Sequence, residues 1–438
     1  MQPLWADAFR FFSITTVLMH LCIFEDRYFT NFLPLAFFRP VYALRCGASE
    51  LHSKIERALP RTTVAYHCRS VLAPSLREVS KPRVNELEAA PTWFVNGRVL
   101  ADRNFVHLLK SSPKHPVLFC QGDTVVAAKV DEHFVRTRAG FLQTQVVTRE
   151  LFGGIPGEDV DVRLIEYPWE LIHANGEEIV NDFGVRAKSR KTKRIAGRVH
   201  AGAHLVKKSD ILLGKGSVVK PGAVLDAEEG PIIVEGDVTI GSNAVIEGPV
   251  FIGRGSVIKA GARIHGGTTI GEVCKVGGEV EASILQSYSN KQHDGYLGHS
   301  YLGSWVNIGA DTNTSDLKNT YGSVQVSLGG RKVDTGLQFV GLFMGDHSKT
   351  GINVMFDTGT VAGVSCNVYG AGLPPKSLPS FSWGNAAGKF SVYELERSIE
   401  TAKRVMMRRN VKWTQSYEQL FRAVFEETHS ERAAAGIV

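Results

Sequence analysis

The sequence predicts an α/β domain, followed by a parallel β-helix built from six-residue repeats and by a cap of helices at the C-terminal end. Four observations support this prediction. An aliphatic residue recurs every six positions from Val234 onward, and glycines, 44 in all, cluster between residues 200 and 372. Strand-like and helical patterns are mixed over residues 19–183, and helical spacing returns after residue 384.

The six-residue period is the strongest pattern in the chain. Consecutive hexads read VEGDVT, IGSNAV, IEGPVF, IGRGSV, IKAGAR, IHGGTT, IGEVCK and VGGEVE. Helices and amphipathic strands repeat at about 3.6 and about 2 residues, so neither explains a period of six. A chain that turns a corner every six residues does, because the aliphatic first residue points into a narrow core and the small fifth residue lies near a corner. Three such faces close a triangular coil. The strands of stacked coils satisfy one another's backbone N–H and C=O groups with hydrogen bonds.

Polar segments interrupt this period. It resumes as LGSWVN and IGADTN over residues 302–313, lapses over 314–339 and returns over 350–373. The segment SNKQHDGYLGHSYLGSWVNIGADTNTSDLKN (289–319) therefore straddles two hexads, with its most polar residues on either side. We predict a coil over residues 200–384 with an inserted loop at 314–339.

The N-terminal half reads as an α/β domain over residues 19–183. Runs such as VLFC and TVVAAKV are strand-like, and GASELHSKIERAL is helical. MHLCIFED, which begins at Met19, has the pattern of an opening strand. We interpret residues 1–18 as an extension, or as the product of an upstream start codon.

A basic linker is predicted over residues 184–199. Six cations fall within nine residues there, namely Arg186, Lys188, Arg190, Lys191, Lys193 and Arg194. Because no aromatic residue is interleaved with them, a solvated linker or a phosphate-facing patch is favoured over a nucleic-acid interface.

The C-terminal segment, residues 385–438, is predicted to form helices that cover the open end of the coil. Ser391 and Glu394 have the spacing of a capping box. Apolar residues follow at helical spacing, namely Val392, Leu395, Ile399, Ala402 and Val405. The basic residues of this segment are interpreted as a solvated face: Lys403, Arg404, Arg408 and Arg409.

Composition restricts the class of protein. Hydrophobic residues make up 43% and charged residues 21% of the 438 residues, with a net charge of +6, which is typical of a globular protein. No apolar run reaches the roughly eighteen residues of a membrane span, so no membrane partner is expected. The six cysteines have no metal-ligand or disulfide-framework spacing. This argues against a metal site of that kind and fits reduced thiols in the cytoplasm.

Two long motifs carry a family resemblance. HDGYLGHSYLGSWVNIGADT is similar to the segment around the catalytic histidine of left-handed β-helix (hexapeptide-repeat) acyltransferases. The match is closest to the C-terminal domain of the bifunctional N-acetylglucosamine-1-phosphate uridyltransferase / glucosamine-1-phosphate acetyltransferases. Leu33–Arg45, with NKQHDGYLGHSYLG and NIGADTNTSDLKN, resembles a bacterial group of sugar-nucleotidyltransferase homologues over residues 19–410. The resemblance implies a nucleotidyltransferase-like N-terminal domain, a left-handed coil and a homotrimer that binds acetyl-CoA and a sugar phosphate between neighbouring coils.

The resemblance also implies roles for individual residues. His293 falls on the position of the base that deprotonates the attacking amine, and Tyr296 and Asn307 fall on positions that contact the acceptor sugar. Arg263 falls where an arginine holds the acceptor phosphate. Near Glu281 the better-known enzymes have a lysine for that phosphate, so this chain departs from the pattern there.

Each of these residues has a plainer interpretation as well. His293 could act as a base, contact a ligand without catalysis, or belong to a structural loop, and Tyr296 and Asn307 could be turn residues. Lys318 and Asn319 are possible substrate contacts, but a surface turn explains them nearly as well.

A second polar cluster, GDHSKTG, interrupts the apolar rhythm. Its His347 and Lys349 could contact coenzyme A or a phosphate, or could simply be exposed corner residues.

The N-terminal domain lacks an expected feature of nucleotidyltransferases. Such enzymes need a glycine-rich loop after the first strand and carboxylates for Mg²⁺, yet no glycine occurs before Gly47. Arg39 and Arg45 are the candidate nucleotide-binding residues, and the alternative is salt bridging within the fold. Asn96 stands where a metal-binding aspartate is expected, and Asp102 comes only later. Mg²⁺ is required only if this domain is active.

Two functional hypotheses follow. The first is a transferase of nucleotide-sugar metabolism, with acetyl transfer to an amino sugar phosphate on the coil and nucleotidyl transfer, forming a UDP-sugar, as a companion activity. The second is a non-catalytic sugar-nucleotide-binding or trimeric assembly protein. The polar segment around His293 favours the transferase.

Overall fold

The computed structural model of the chain describes residues 19–138, 140, 146–188 and 194–437. The predicted extension (1–18) and residues 189–193 of the predicted linker, which include Arg190, Lys191 and Lys193, lie outside the described residues. No helix of the described residues is both long and apolar enough to cross a bilayer.

The N-terminal part is an α/β domain around a mainly parallel sheet. Its strands are β1 (His20–Phe24), β2 (Arg45–Cys46), β3 (Ser49–Glu50), β4 (Thr63–His67), β5 (Arg83–Val84), β6 (Thr92–Asn96), β7 (Val117–Gln121), β8 (Thr124–Val130) and β9 (Gly157–Asp159). Its helices are α1 (Leu51–Ala58), α2 (Ala73–Val79), α3 (Arg103–Ser111), α4 (Glu132–Arg138) and α5 (Pro168–Ala187). Short 3₁₀ helices occupy Arg27–Phe32, Val41–Ala43 and Arg149–Phe152.

The central strand of this sheet is the predicted opening strand, β1. The strand order is β5-β4-β1-β6-β8-β7-β9, with β1 parallel to β4 and β6, and β8 antiparallel to β6 and β7. Strand β1 is apolar because both of its faces are buried, so Leu21, Ile23 and Phe24 are fully covered. Residues that follow β1, β4 and β6 therefore meet at one edge of the sheet.

The coil begins near residue 198 and continues to residue 392. Its strands are β10 (Arg198–Val199), β11 (His204–Val206), β12 (Ile211–Leu213), β13 (Val218–Val219), β14 (Val224–Asp226), β15 (Ile232–Val234), β16 (Thr239–Ile240), β17 (Val245–Glu247), β18 (Val250–Ile252), β19 (Val257–Ile258), β20 (Arg263–Ile264), β21 (Thr268–Ile270), β22 (Lys275–Val276), β23 (Glu279–Glu281), β24 (Ile284–Leu285), β25 (Asn290–Lys291), β26 (Tyr296–Gly298), β27 (Tyr301–Leu302), β28 (Asn307–Ile308), β29 (Asn313–Thr314), β30 (Gln325–Leu328), β31 (Arg331–Asp334), β32 (Phe343–Met344), β33 (Lys349–Thr350), β34 (Met355–Phe356), β35 (Val361–Ala362), β36 (Asn367–Tyr369), β37 (Ser377–Leu378), β38 (Ser382–Asn385) and β39 (Phe390–Val392). A 3₁₀ turn occupies Lys208–Asp210.

Three parallel sheets form the faces of the coil, as the period of six predicts. We call them the C-terminal face (β10-β13-β16-β19-β22-β25-β28-β33-β36-β38), the polar face (β11-β14-β17-β20-β23-β26) and the N-domain face (β12-β15-β18-β21-β24-β27-β32-β35-β37). The predicted fold class, an α/β nucleotidyltransferase-like domain followed by a left-handed parallel β-helix and C-terminal helices, is confirmed.

The interior of the coil contains the residues that the hexads place there. First-place residues such as Ile240 and Ile258 are at most 1% exposed, and fifth-place residues such as Ala244 and Ala262 are fully buried. Each buried isoleucine contributes about 1.5–3 kcal/mol relative to an exposed one. The column continues past the polar interruption through Leu302, Val306 and Met344.

The lapse at 314–339 contains regular structure. Strands β30 and β31 pair as an antiparallel hairpin. The apolar residues Val326 and Leu328 on β30 are buried in a cluster that also contains Leu35 of the N-terminal domain and Phe343 of the N-domain face. The insert therefore adds apolar contacts between the coil and the N-terminal domain.

The C-terminal helices are α6 (Leu395–Met407), α7 (Gln415–Glu427) and α8 (His429–Ala434). The predicted capping box is wrong: Ser391 lies in β39, where its hydroxyl donates to the Trp383 carbonyl, and Glu394 precedes α6 without a side-chain cap. Phe421 and Val424 of α7 share a core with Phe38 of the N-terminal domain and Phe381 of the coil. The helices thus brace the side of the coil against the N-terminal domain.

Helix α5 joins the two halves of the chain. Ile179 packs with Ile233 and Phe251 of the N-domain face. The amide of Asn175 accepts from Gly47 N at 2.6 Å and donates to the Gly267 carbonyl at 2.7 Å. The last turn of α5 occupies residues 184–187, which the sequence assigned to the linker.

Candidate functional site

His293 lies at the corner between the C-terminal face and the polar face, directly after β25. Its side chain is exposed, and among the described residues it has no hydrogen-bond partner. The turn that presents it is held from inside, because the Lys291 ammonium, on a residue only 1% exposed, donates to the His293 carbonyl at 2.7 Å. Burial lowers the pKa of Lys291 to about 8.

Tyr296 stands on the polar face between two carboxylates. Its hydroxyl lies 3.0 Å from Glu281 Oε2 and 2.9 Å from Asp316 Oδ2. Strand register explains the first contact, since β26 lies beside β23 and pairs Tyr296 with Glu279 and Gly298 with Glu281. His299, at the next corner, places Nδ1 2.8 Å from the same Asp316 oxygen.

The electrostatics of this cluster follow from these contacts. Burial and the two carboxylates raise the pKa of the Tyr296 phenol, so it stays protonated and donates. Burial by itself would raise the pKa of Asp316, but hydrogen bonds from His299 and Tyr296 outweigh it and the pKa is lowered. The contact between Asp316 and His299 Nδ1 fixes the orientation of the imidazole ring. The sequence interpretation missed this histidine–aspartate pair.

Arg263, Lys318 and Asn319 do not join this cluster. Arg263 is exposed and pairs with Glu279 at 2.7 Å, one coil further along the same face. The Lys318 ammonium donates to the Ser323 carbonyl and closes a turn, and Asn319 is exposed. The surface-turn interpretation of Lys318 and Asn319 fits these contacts better than substrate binding.

A cavity of about 300 Å³ lies between the C-terminal face and the end of α6. It is lined by residues of four neighbouring coils and of the helix end: Lys275, Tyr288, Asn290, Gln292, Trp305, Asn307, Lys349, Val405, Arg408 and Arg409. It therefore brings together Asn307 and Lys349, which the sequence singled out, with cations that it did not. Arg409 is half-buried and bonded to Asn290, so the solvated-face interpretation is wrong for it, whereas Arg408 lines the cavity but is exposed, as that interpretation expects.

Hydrogen bonds between some of the polar side chains of the cavity fix their orientation. Arg409 donates to Asn290 Oδ1 at 3.0 Å, and Asn290 Nδ2 lies 3.3 Å from Asn307 Oδ1. Burial lowers the pKa of Lys349 to about 8, and Arg409 is the main cause of a lowered pKa at Lys275. The cavity thus concentrates positive charge.

His347 is not the exposed corner residue or the coenzyme contact that the sequence suggested. It is 2% exposed, its Nε2 lies 2.8 Å from the Tyr417 hydroxyl, and its ring meets Phe38 edge to face. Burial, with Lys349 and Arg39 nearby, holds the pKa of His347 well below its usual range. The residue joins the coil, the N-terminal domain and α7.

Arg39 and Arg45 also have partners that correct their predicted role. Arg39 reaches the coil, where it donates to Asp346 Oδ1 at 2.8 Å and to Ser304 Oγ at 3.0 Å. Arg45 pairs with Glu50 at 2.8 Å, and its main-chain N–H donates to the Tyr301 hydroxyl at 2.8 Å. These contacts fit the salt-bridging alternative. They lie within the N-terminal domain and also between that domain and the coil.

The Mg²⁺ that nucleotidyl transfer requires would be bound at the edge of the N-terminal sheet. Asp26, the carboxylate that follows β1, accepts from Arg98 Nη2 at 2.6 Å and from Asn96 Nδ2 at 2.9 Å. Asp102 caps α3 through the Phe105 N–H. A guanidinium thus occupies the place of a cation beside Asp26, and the described residues contain no cluster of ligands suited to a metal. The residues present do not fit Mg²⁺.

Taken together, the chain joins a mainly parallel α/β domain to a coil of six-residue repeats. Residues 21–191 match the family described as sugar nucleotidyl transferase. The bifunctional sugar-1-phosphate nucleotidylyltransferase/acetyltransferase of Sulfurisphaera tokodaii is 36% identical over 143 residues, 32% of this chain and 36% of that protein. The bifunctional protein GlmU of Methanococcus aeolicus is 35% identical over 212 residues, 48% of this chain and 49% of that protein.

These comparisons confirm the family resemblance predicted from the sequence. The matched segments span about a third to half of the length of these two relatives. A solved structure, titled UDP-N-acetylglucosamine acyltransferase, aligns with a TM-score of 0.24 at 12% identity, covering 50% of this chain and 76% of that chain. The assignment of the coil rests on the strand register of this chain.

Proposed function

We propose that the chain is a transferase of nucleotide-sugar metabolism that moves an acetyl group from acetyl-CoA to the amino group of a sugar phosphate. The position of His293 carries this proposal. Its exposed side chain stands at a corner of the coil, between Gln292, which lines the cation-rich cavity, and Tyr296 on the polar face.

His293 is the proposed base. A histidine imidazole suits proton transfer at neutral pH. It takes a proton from the substrate nitrogen as that atom attacks the thioester carbonyl; a C–N bond forms, the C–S bond breaks, and the proton passes to the departing thiolate. Backbone N–H groups of the coil are the proposed donors to the tetrahedral oxyanion. Lys291 acts as a positioning residue, because it holds the main chain of the turn.

Charge favours one side of His293 for the phosphate of the acceptor. On the polar face, Glu279, Glu281 and Asp316 surround Tyr296, and like charges there would repel a phosphate. On the C-terminal face, the cavity presents Lys275, Lys349 and two arginines. The acceptor sugar is therefore proposed to contact Tyr296 or Asn307 with its phosphate directed toward the cavity, and Arg263 is retained only as a peripheral contact.

Nucleotidyl transfer in the N-terminal domain is the second candidate activity. The family match over residues 21–191 favours it. No step through Mg²⁺ is derived, because the carboxylate after β1 is already paired with Arg98.

We also propose that the protein forms a homotrimer through contacts between coils and that it is cytoplasmic. The outward side chains of the polar face are exposed or half-buried and include charges of both signs, among them Asp226, Glu247, Arg263 and Glu279, together with His265. Such a surface suits polar packing against a second coil. All six cysteines are buried free thiols, which fits a reducing compartment.

Release of free thiol from acetyl-CoA, followed with a panel of amino sugar phosphates, tests the acyl-transfer proposal. We expect turnover that falls by about 100-fold or more in His293→Ala, since general-base catalysis contributes about 10²–10⁴. His204→Ala, an exposed histidine at the far end of the polar face, is the matched control and should retain full activity. Light scattering on the same samples should give a trimer.

His299→Ala separates two assignments of the base. If turnover survives His293→Ala but is lost in His299→Ala, the base is the histidine paired with Asp316 and our assignment is wrong. Absence of turnover with every acceptor, together with tight binding of a sugar nucleotide, would favour the non-catalytic binding protein. Release of pyrophosphate from nucleoside triphosphates reports separately on the N-terminal domain.

A further inference from the structure

The cavity between the C-terminal face and α6 contains positive charge that the described residues leave unbalanced. Lys275, Lys349, Arg408 and Arg409 all line it. Among the described residues, none of the four forms an ion pair with a carboxylate, and no carboxylate lines the cavity. Elsewhere on α6 the cations are paired, as Arg404 is with Glu400 at 3.1 Å.

Bringing these cations together costs free energy. Arg409 and Arg408 both lower the pKa of Lys275, which reports repulsion between like charges. The C-terminal end of α6 favours cations at Arg408 and Arg409, but it is no partner for Lys275 and Lys349 on the coil. A bound anion would remove this repulsion.

The remaining wall of the cavity is suited to a small polar ligand. Asn290, Asn307 and Gln292 supply amide donors, and Arg409 is already oriented by its bond to Asn290. On the other side Tyr288 and Trp305 stack at 4.2 Å, and both hold left-handed backbone angles, φ 68° and 64°, that bulky residues rarely adopt. A volume of about 300 Å³ is at the lower end of the range for small-molecule sites.

We propose that this cavity binds the phosphate groups of a small phosphorylated molecule, with Arg408 and Arg409 as bidentate donors and Lys275 and Lys349 as point charges. The closing helix end belongs to the same chain, so the site needs no second copy of the protein. The proposal deepens the proposed function, which directs the acceptor phosphate toward this cavity, but it concerns binding alone and is tested without acyl transfer.

Calorimetric titration with inorganic pyrophosphate, ATP and coenzyme A, each in a separate experiment, tests the site. Saturable binding of at least one probe is expected, and raising the salt concentration should weaken it. Binding of pyrophosphate itself means that the phosphates suffice. Binding of ATP or coenzyme A alone means that the site also requires the rest of the molecule. Either result supports the proposal.

The double variant Arg408→Gln/Arg409→Gln should weaken that binding by about tenfold or more, because two charge-assisted hydrogen-bonding groups are lost. Arg404→Gln, on the same helix but paired with Glu400, is the control and should bind like the unmodified protein. Asn290→Asp gives a second test, because it places a carboxylate beside Arg409, replaces the anion and should abolish binding while raising the Tm.

Two results would overturn the proposal. One is the absence of binding by all three probes. The other is binding that persists in both the double variant and Asn290→Asp, since the anion would then occupy a different place. Loss of acetyl transfer in His293→Ala with binding unchanged would leave this site intact, so the two proposals fail separately.

Discussion

Single residues with polar side chains acquire their roles here from partners far away in the chain. His347 shows this best, since its ring nitrogen meets Tyr417 of α7 and its ring meets Phe38 of the N-terminal domain. Arg39 is a second example, because it reaches Asp346 across 307 positions of sequence. For each residue a ligand contact was one of two interpretations, because the local pattern contains no information on such partners.

The buried state of His347 predicts a pH dependence of stability. Because its pKa in the folded protein lies well below about 6.5, the unfolded chain binds the proton more readily below that pH. Stability should therefore fall as the pH drops from 6.5, by up to about 1.4 kcal/mol per pH unit for this residue. Lys349 and Arg39 face the ring and strengthen the effect.

Chemical denaturation between pH 5 and pH 7.5 measures this dependence. His347→Phe should flatten the decline, and the exposed-residue control His204→Phe should not. An unchanged slope in His347→Phe would mean that the ring is protonated in the folded protein as readily as in the unfolded one.

At the scale of elements, the hexads of the coil are the most predictable part of the molecule. Each six-residue segment specifies its own corner and its own inward residue, so the pattern can be read locally. The helices were predicted less well, because α6 begins at Leu395 without the expected cap and α5 continues to Ala187. Helix ends depend on packing with other elements as much as on capping residues.

Truncation of the residue at the first place of a hexad should strongly lower the free energy of unfolding. Ile258 is fully buried in the column, so Ile258→Ala should lower the free energy of unfolding by about 2–5 kcal/mol. Lys259, the next residue, is exposed, and Lys259→Ala should change it by less than about 0.5 kcal/mol. Urea denaturation compares the two variants, and equal effects would refute the assignment of inward and outward places.

At the scale of the whole molecule, the coil, the N-terminal domain and the C-terminal helices share cores. Phe38, Phe381 and Phe421 come from the three parts and lie in one cluster. The segment between β1 and α1, where nucleotidyltransferases need a phosphate-binding loop, here carries Arg39 to the coil. This segment therefore serves assembly of the chain.

The Arg39–Asp346 pair predicts strong coupling between the domain and the coil. Asp346 is 1% exposed, so Arg39→Ala leaves a buried charge without its partner and should cost about 3–5 kcal/mol. Asp346→Ala should cost a similar amount, and the double variant should cost clearly less than the sum. Costs that add within about 0.5 kcal/mol would show that the two side chains do not interact.

What the sequence determined by itself was the coil, its inward residues, the order of the parts and the polar segment around His293. The coil and its inward residues are periodic, and the polar segment is contiguous. Neighbouring residues therefore specify these features, through the geometry of the corners and the burial of the inward side chains. What only the tertiary structure decided was the set of partners: the cations that share a cavity with Asn307, the pairing of His299 with Asp316, and the interface roles of Arg39 and His347. The physical reason is that an outward side chain takes its function from whichever surface packs against it, and residue spacing along one strand does not identify that surface.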